Sequence, residues 1–155
     1  MKDDKGFSLV ELIIVIAIMA VLVGIVGVQV IPYIENTKKA RDIQILSAYA
    51  TAGVMAYSTH PDCAPTDDMT ITVTSSGGTD VFMCSNDEAQ KIADELKHLI
   101  SKDYITDADD SFQSKKYKTI DKIVISYDFT NKKIKVTAFE GAAELNGEDE
   151  VYGIL

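Results

Sequence analysis

The sequence predicts an α+β fold: one long N-terminal helix whose second half packs against an antiparallel β-sheet. Three observations predict it. Leu12 to Ile31 is apolar and is broken only by Gln29. Beyond it, Ala40, Ile43, Ser47, Ala50, Val54 and Tyr57 recur at spacings of three and four, the helical period. Near the C-terminus, Ile123, Ile125, Tyr127 and Phe129 alternate with other residues, and Ile134, Val136 and Ala138 do so again. That is the period of half-buried strands.

The first element reads as one helix from Phe7 to Ser58. At 1.5 Å per residue it spans roughly 75–80 Å. Its apolar part meets the ~20 residues needed to cross a bilayer. Glu11 stands at the mouth of that part, where insertion scales put a carboxylate at roughly 2.5–3.5 kcal/mol. Such a residue signals function. If the chain is cut between Gly6 and Phe7, a new α-amine arises four residues before Glu11. Amine and carboxylate can then pair, most usefully between neighbouring chains. Gly24, Gly27 and Pro32 weaken the helix: glycine by ~1 kcal/mol, proline by removing a backbone hydrogen bond. In a lone anchor they amount to tolerated kinks. In the second half, Lys39, Asp42, Gln44 and Thr51 form the side opposite the apolar stripe.

Pro61 and Pro65 forbid the helix to continue. Ile71–Thr74 and Thr79–Cys84, joined by Ser75-Ser76-Gly77-Gly78, read as a small hairpin. Ser85-Asn86-Asp87-Glu88 has capping-box spacing. It precedes an apolar stripe of Ala89, Ile92, Ala93, Leu96, Leu99 and Ile100 on a helix ending near Lys102. Asp103 to Lys118 reads as polar loop. Ile123–Phe129 and Ile134–Ala138, turned by Thr130-Asn131-Lys132, form the clearest hairpin. The final segment, with Glu144, Glu148, Asp149, Glu150, Val151, Tyr152 and Ile154, either adds a strand or covers the sheet.

The length of 155 residues fits one domain plus an anchor. The net charge of −9 suits a soluble exported head and disfavours nucleic acid as a partner, since phosphate contacts need Lys and Arg. No Ser-His-Asp order, phosphate loop or metal triad is present; His60 and His98 stand in unrelated contexts. The chain reads as a non-enzyme without cofactor.

Lys5-Gly6-Phe7-Ser8-Leu9-Val10-Glu11-Leu12 resembles the prepilin signal of type IV pilins and pseudopilins: a short charged leader ending in Gly, then Phe, Ser or Thr, Leu, a small apolar residue, Glu and a long apolar helix. The resemblance covers residues 1 to about 58. It implies that residues 1–6 are a leader, 7–32 the membrane and assembly half of the helix, and 33–155 the pilin head. A prepilin peptidase would cut between Gly6 and Phe7 and methylate the Phe7 amine. The leader would face the cytoplasm, and the single-pass precursor would pass from the cytoplasmic membrane into an extracellular filament. Partners would be like subunits, the peptidase and the membrane-embedded assembly machinery. Glu11 would neutralise a neighbour's Phe7 amine during assembly. Gly24 to Pro32 would be where the helix stretches on assembly; a static kink is the alternative.

In an exported domain Cys63 and Cys84 are expected to pair, worth ~3 kcal/mol for a loop of this size; two buried free thiols are the alternative. Asp107, Asp109 and Asp110 offer clustered oxygens for calcium but lack the EF-hand glycine and terminal glutamate, so a solvated acidic loop is the better reading. Three functions follow. The first is a structural subunit of a type IV pilus. The second is a pseudopilin of a type II secretion or DNA-uptake system, which shares the motif. The third is a membrane-tethered binding module that keeps its leader and tolerates a change at Glu11.

Overall fold

Lys122–Asp128 and Lys133–Glu140 pair antiparallel from Lys122 opposite Phe139 to Asp128 opposite Lys133, with Ile123 opposite Ala138 and Tyr127 opposite Ile134. The computed structural model describes residues 7–60, 68–76, 79–100, 104–105, 111–147 and 149–155. The elements in order are α1 (Leu9–Ser58), β1 (Met69–Ser76), β2 (Thr79–Cys84), α2 (Asp87–Leu99), β3 (Lys122–Asp128), β4 (Lys133–Glu140), β5 (Ala143–Glu144) and β6 (Val151–Ile154). The strands form one antiparallel sheet ordered β2-β1-β3-β4; β5 and β6 both pair with β4. The final segment therefore adds strands. The chain divides into two units, Met1–Thr37 and Lys38–Leu155.

In the second unit, strand alternation sends Met69, Ile71, Val73, Ile123, Ile125, Tyr127, Ile134, Val136 and Ala138 to one buried face. The later part of α1 packs on that face. Two glycines set the approach. A Cβ on Gly153 would lie 2.7 Å from Val54 Cγ2, and one on Gly53 3.2 Å from the Tyr127 hydroxyl oxygen. That hydroxyl donates to the Gly53 carbonyl at 3.1 Å.

The buried helix face differs from the predicted stripe. Asp42, Ile45, Leu46, Tyr49, Ala50, Ala52, Gly53 and Ala56 are buried, while Ala40 is exposed and Ile43, Ser47, Val54 and Tyr57 lie at the margins. The rotation brings the larger Leu46 and Tyr49 inward, together with Asp42, which sequence analysis puts on the opposite side. The Asp42 carboxylate is fully buried and accepts two backbone N–H groups, from Gln113 at 3.1 Å and Ser114 at 2.8 Å. The segment read as polar loop is likewise part of the core where it is described: Phe112, Ser114 and Tyr117 are buried.

α2 is capped by Asn86, whose side chain accepts from the Ala89 amide at 2.7 Å. Ser85, the expected cap, is held against β1 just beyond the end of β2: its amide donates to the Thr70 carbonyl, and its hydroxyl accepts from the Thr70 amide. Ala89, Ile92, Ala93 and Leu96 are buried as expected, whereas Leu99 is exposed.

Candidate functional site

α1 opens with a reciprocal cap. The Ser8 amide donates to Glu11 Oε2 at 2.9 Å, the Val10 amide donates to Ser8 Oγ at 3.4 Å, and the Leu12 amide donates to the Ser8 carbonyl at 3.2 Å. This is the Ser-x-x-Glu arrangement, which satisfies amides that a helix leaves unpaired at its start. The need is greater in hydrocarbon, where no water can take their place. The carboxylate also faces the positive end of the helix dipole. The role expected of Glu11 lies between chains; this role within the chain is additional, and the spacing of Ser8 and Glu11 is its signal.

Phe7 precedes the helix and is 88% exposed. From Phe7 to Ile34 every residue is exposed, so the helix presents apolar side chains all round. An 18-residue window has mean hydropathy 3.1, and among the described residues α1 is the one helix long and apolar enough to cross a membrane. Gly24 and Gly27 have nothing within 4 Å of where a Cβ would stand, so no contact in this chain demands glycine there. Pro32 lies inside the helix, with no N–H for the Val28 carbonyl; the helix nevertheless runs through all three positions. Tyr33, beside Pro32, is 74% exposed. Tyrosine is a residue type enriched at membrane interfaces.

A polar junction ties the early head segment of α1 to two loops. Arg41 Nη1 donates to the Ser111 carbonyl at 3.1 Å, beside the Asp42 contacts. Asp149 Oδ2 receives Lys39 at 2.9 Å and also Lys116, whose Nζ donates to the Asn146 carbonyl at 2.8 Å. The hydrogen bonds from Lys116 and Lys39 hold the Asp149 carboxyl below its ordinary range. Buried Asn146 accepts from the Ala138 amide at 2.7 Å and donates to the Val136 carbonyl at 2.9 Å. Neither Asn146 nor Asp149 carries a sequence signal for this role, because Lys39 and Lys116, which they bind, are distant in sequence.

Of the predicted site residues, the structure places Phe7, Glu11, Gly24, Gly27 and Pro32 in one unit. Cys84 ends β2, half-buried; burial pushes its thiol up, and the negative charge of Asp94 adds to the effect. Gly6, Cys63, Asp107, Asp109 and Asp110 lie outside the described residues. Among the described residues no group of His, Cys, Asp and Glu could hold a metal ion.

The model of the prokaryotic N-terminal methylation motif matches residues 1–27. The chain carries the type IV pilin and pseudopilin signature. No match was found among curated proteins or among solved structures. The signature belongs to a structural, pilin-type family, not to an enzyme family, and it implies processing by a prepilin peptidase. Together with the apolar helix, it fits a membrane-anchored, single-pass precursor of pilin or pseudopilin type.

Proposed function

We propose that the chain is a structural subunit of a type IV pilus. Prepilin peptidase cuts between Gly6 and Phe7 and methylates the Phe7 amine, and the processed chain leaves the cytoplasmic membrane to enter an extracellular filament. The carrying observation is the surface of α1: apolar all round from Leu12 to Ile31, apart from Gln29, with one carboxylate at its mouth. Outside the bilayer such a surface must be covered by others like it, because burial of apolar area is the dominant drive for association. Copies of the same helix supply that cover.

In the growing filament Glu11 pairs with the Phe7 amine of a neighbour and sets the register of addition, an attested use of buried charge. Gly24, Gly27 and Pro32 let the intervening turns stretch; the open space around both glycines supports a role other than packing. Cys63 and Cys84 form a bridge that ties the segment after α1 to the end of β2.

The test is to express Glu11→Ala and compare the sheared surface fraction with the membrane. Leader cleavage is expected to persist while surface filament falls sharply. Wild-type filament yield from Glu11→Ala would overturn the assignment of Glu11. Processed wild-type protein confined to the membrane would point to a pseudopilin of a secretion or DNA-uptake system.

A further inference from the structure

The sheet face turned away from α1 is not bare of features. Thr70, Ser126, Lys135 and Tyr152 are successive register partners across β1, β3, β4 and β6, so they form one row on that outer face. Asp128 and Lys133 are partners in the next row but one along the strands, on the same face. A cavity of about 530 Å³ lies over these residues, and Asp68 also lines it. Its volume is within the range of small-molecule sites, about 300–1,000 Å³.

We infer that this cavity binds a neutral saccharide through the Tyr152 ring and the polar row beside it. Four observations define the ligand. The lining includes two aspartates, Asp68 and Asp128, and two lysines, Lys133 and Lys135, so its formal charge is zero in a chain of −9. Lys135 is already paired with Glu144 at 3.2 Å and with Glu150 at 3.5 Å, so its charge is not open to an anion.

Both carboxylates are held in place by the turn that follows β3. Asp68 Oδ1 accepts the Phe129 amide at 3.1 Å, and Asp128 accepts the Asn131 amide at 2.8 Å and the Asn131 side-chain nitrogen at 2.7 Å. Each carboxylate keeps acceptor capacity beyond these bonds.

The hydroxyls of Thr70 and Ser126 have no hydrogen-bond partner among the described residues, although they stand side by side on paired strands. They can both donate and accept, as sugar hydroxyls do. Finally, Tyr152 is 50% exposed and its ring is oriented from both ends: its hydroxyl donates to Glu150, and Lys133 Nζ lies 5.9 Å from the ring centroid. Glu150 is in turn paired with Lys135 at 3.5 Å. A half-open, oriented aromatic ring offers an apolar surface to the C–H face of a pyranose, while fixed acceptors and free hydroxyls meet its rim.

The inference goes beyond the filament reading and is tested separately from it, on the unassembled full chain. The protein is placed in phosphocholine micelles, since a glycoside detergent would itself compete. Saturation-transfer NMR is run with glucose, galactose, N-acetylglucosamine and their β-linked disaccharides, and with glucuronate and glucosamine as charged counterparts. The expected result is binding of at least one neutral sugar, with its ring C–H protons receiving the strongest transfer. Tyr152→Ala and Ser126→Val should each weaken that binding about tenfold. Thr72→Val, on the same face but outside the cavity, should leave it unchanged. Unaltered circular dichroism in each variant shows that the fold is retained. Absence of binding by every neutral sugar, tighter binding of either charged counterpart, or binding indifferent to both cavity variants would overturn the inference.

Discussion

Glu11 accepts the amide proton of Ser8 through Oε2, 2.9 Å away and three residues back along its own chain. One oxygen of the carboxylate thus caps α1 while the other keeps capacity for a positive group. The cap and the proposed pairing with a neighbour's Phe7 amine are compatible, and they can be separated chemically.

Glu11→Gln keeps an acceptor oxygen for the Ser8 amide and removes the charge; Glu11→Ala removes both. If pairing drives assembly, both variants are cleaved by prepilin peptidase and both give far fewer surface filaments. Filament yield from Glu11→Gln equal to wild type, measured by shearing, would assign Glu11 to capping alone.

Gly153 lets β6 lie close under α1, where an added Cβ would stand 2.7 Å from Val54 Cγ2 and 3.5 Å from the Ala50 carbonyl oxygen. Val54 is β-branched and has little rotamer freedom in a helix. Gly153→Ala should therefore destabilise the head by about 1–3 kcal/mol, the range for overpacking. Chemical denaturation in micelles checks this; an unchanged midpoint would mean that the helix and strand separate more easily than this contact implies.

Asp42 is a buried carboxylate whose described hydrogen bonds are to backbone amides of the loop it holds. Asp42→Ala leaves the Gln113 and Ser114 N–H groups without that acceptor, at about 2–4 kcal/mol. Hydrogen exchange should quicken at those two amides in Asp42→Ala and less in Asp42→Asn, which retains one acceptor oxygen. Equal protection in wild type and Asp42→Ala would show that the loop is held by other contacts.

Asp149 gives the head a dependence on acid. Its carboxyl is held below the ordinary 3.8 by Lys116 and Lys39. A carboxyl depressed on folding stabilises above its unfolded value, and that stabilisation is lost as pH falls through the folded value. Both lysines are partly exposed, which limits the contribution to about 1 kcal/mol. Wild type should lose stability below about pH 4 more steeply than Asp149→Asn; parallel pH curves for the two would remove Asp149 from this role.

The sequence was most legible where one local pattern decides the outcome. Alternation at Ile123–Phe129 and Ile134–Ala138 placed the central hairpin, because a one-residue slip would turn every apolar side chain to solvent. The apolar run and the Gly6-Phe7-x-x-x-Glu11 spacing pointed to the matched motif. Legibility failed where partners are remote. Asp42 looked like a solvent-facing residue because its two amides come from a loop some seventy residues away. The helix face was misplaced by about one position because Ala40, Ile43, Ser47, Ala50, Val54 and Tyr57 keep the helical period, although the adjacent Ile45, Leu46 and Tyr49 offer more apolar surface to bury. Asn86 rather than Ser85 caps α2 because the Thr70 backbone already engages Ser85. Phe112 and Tyr117 were hidden among lysines and serines, where no period marks a buried side.

The most direct measurement is the intact mass of this protein in the surface fraction sheared from producing cells. A pilus subunit gives a mass that begins at methylated Phe7, lighter by two hydrogens if Cys63 and Cys84 are bridged. A chain recovered from the membrane alone, with Met1 to Gly6 still attached, would contradict processing and assembly together.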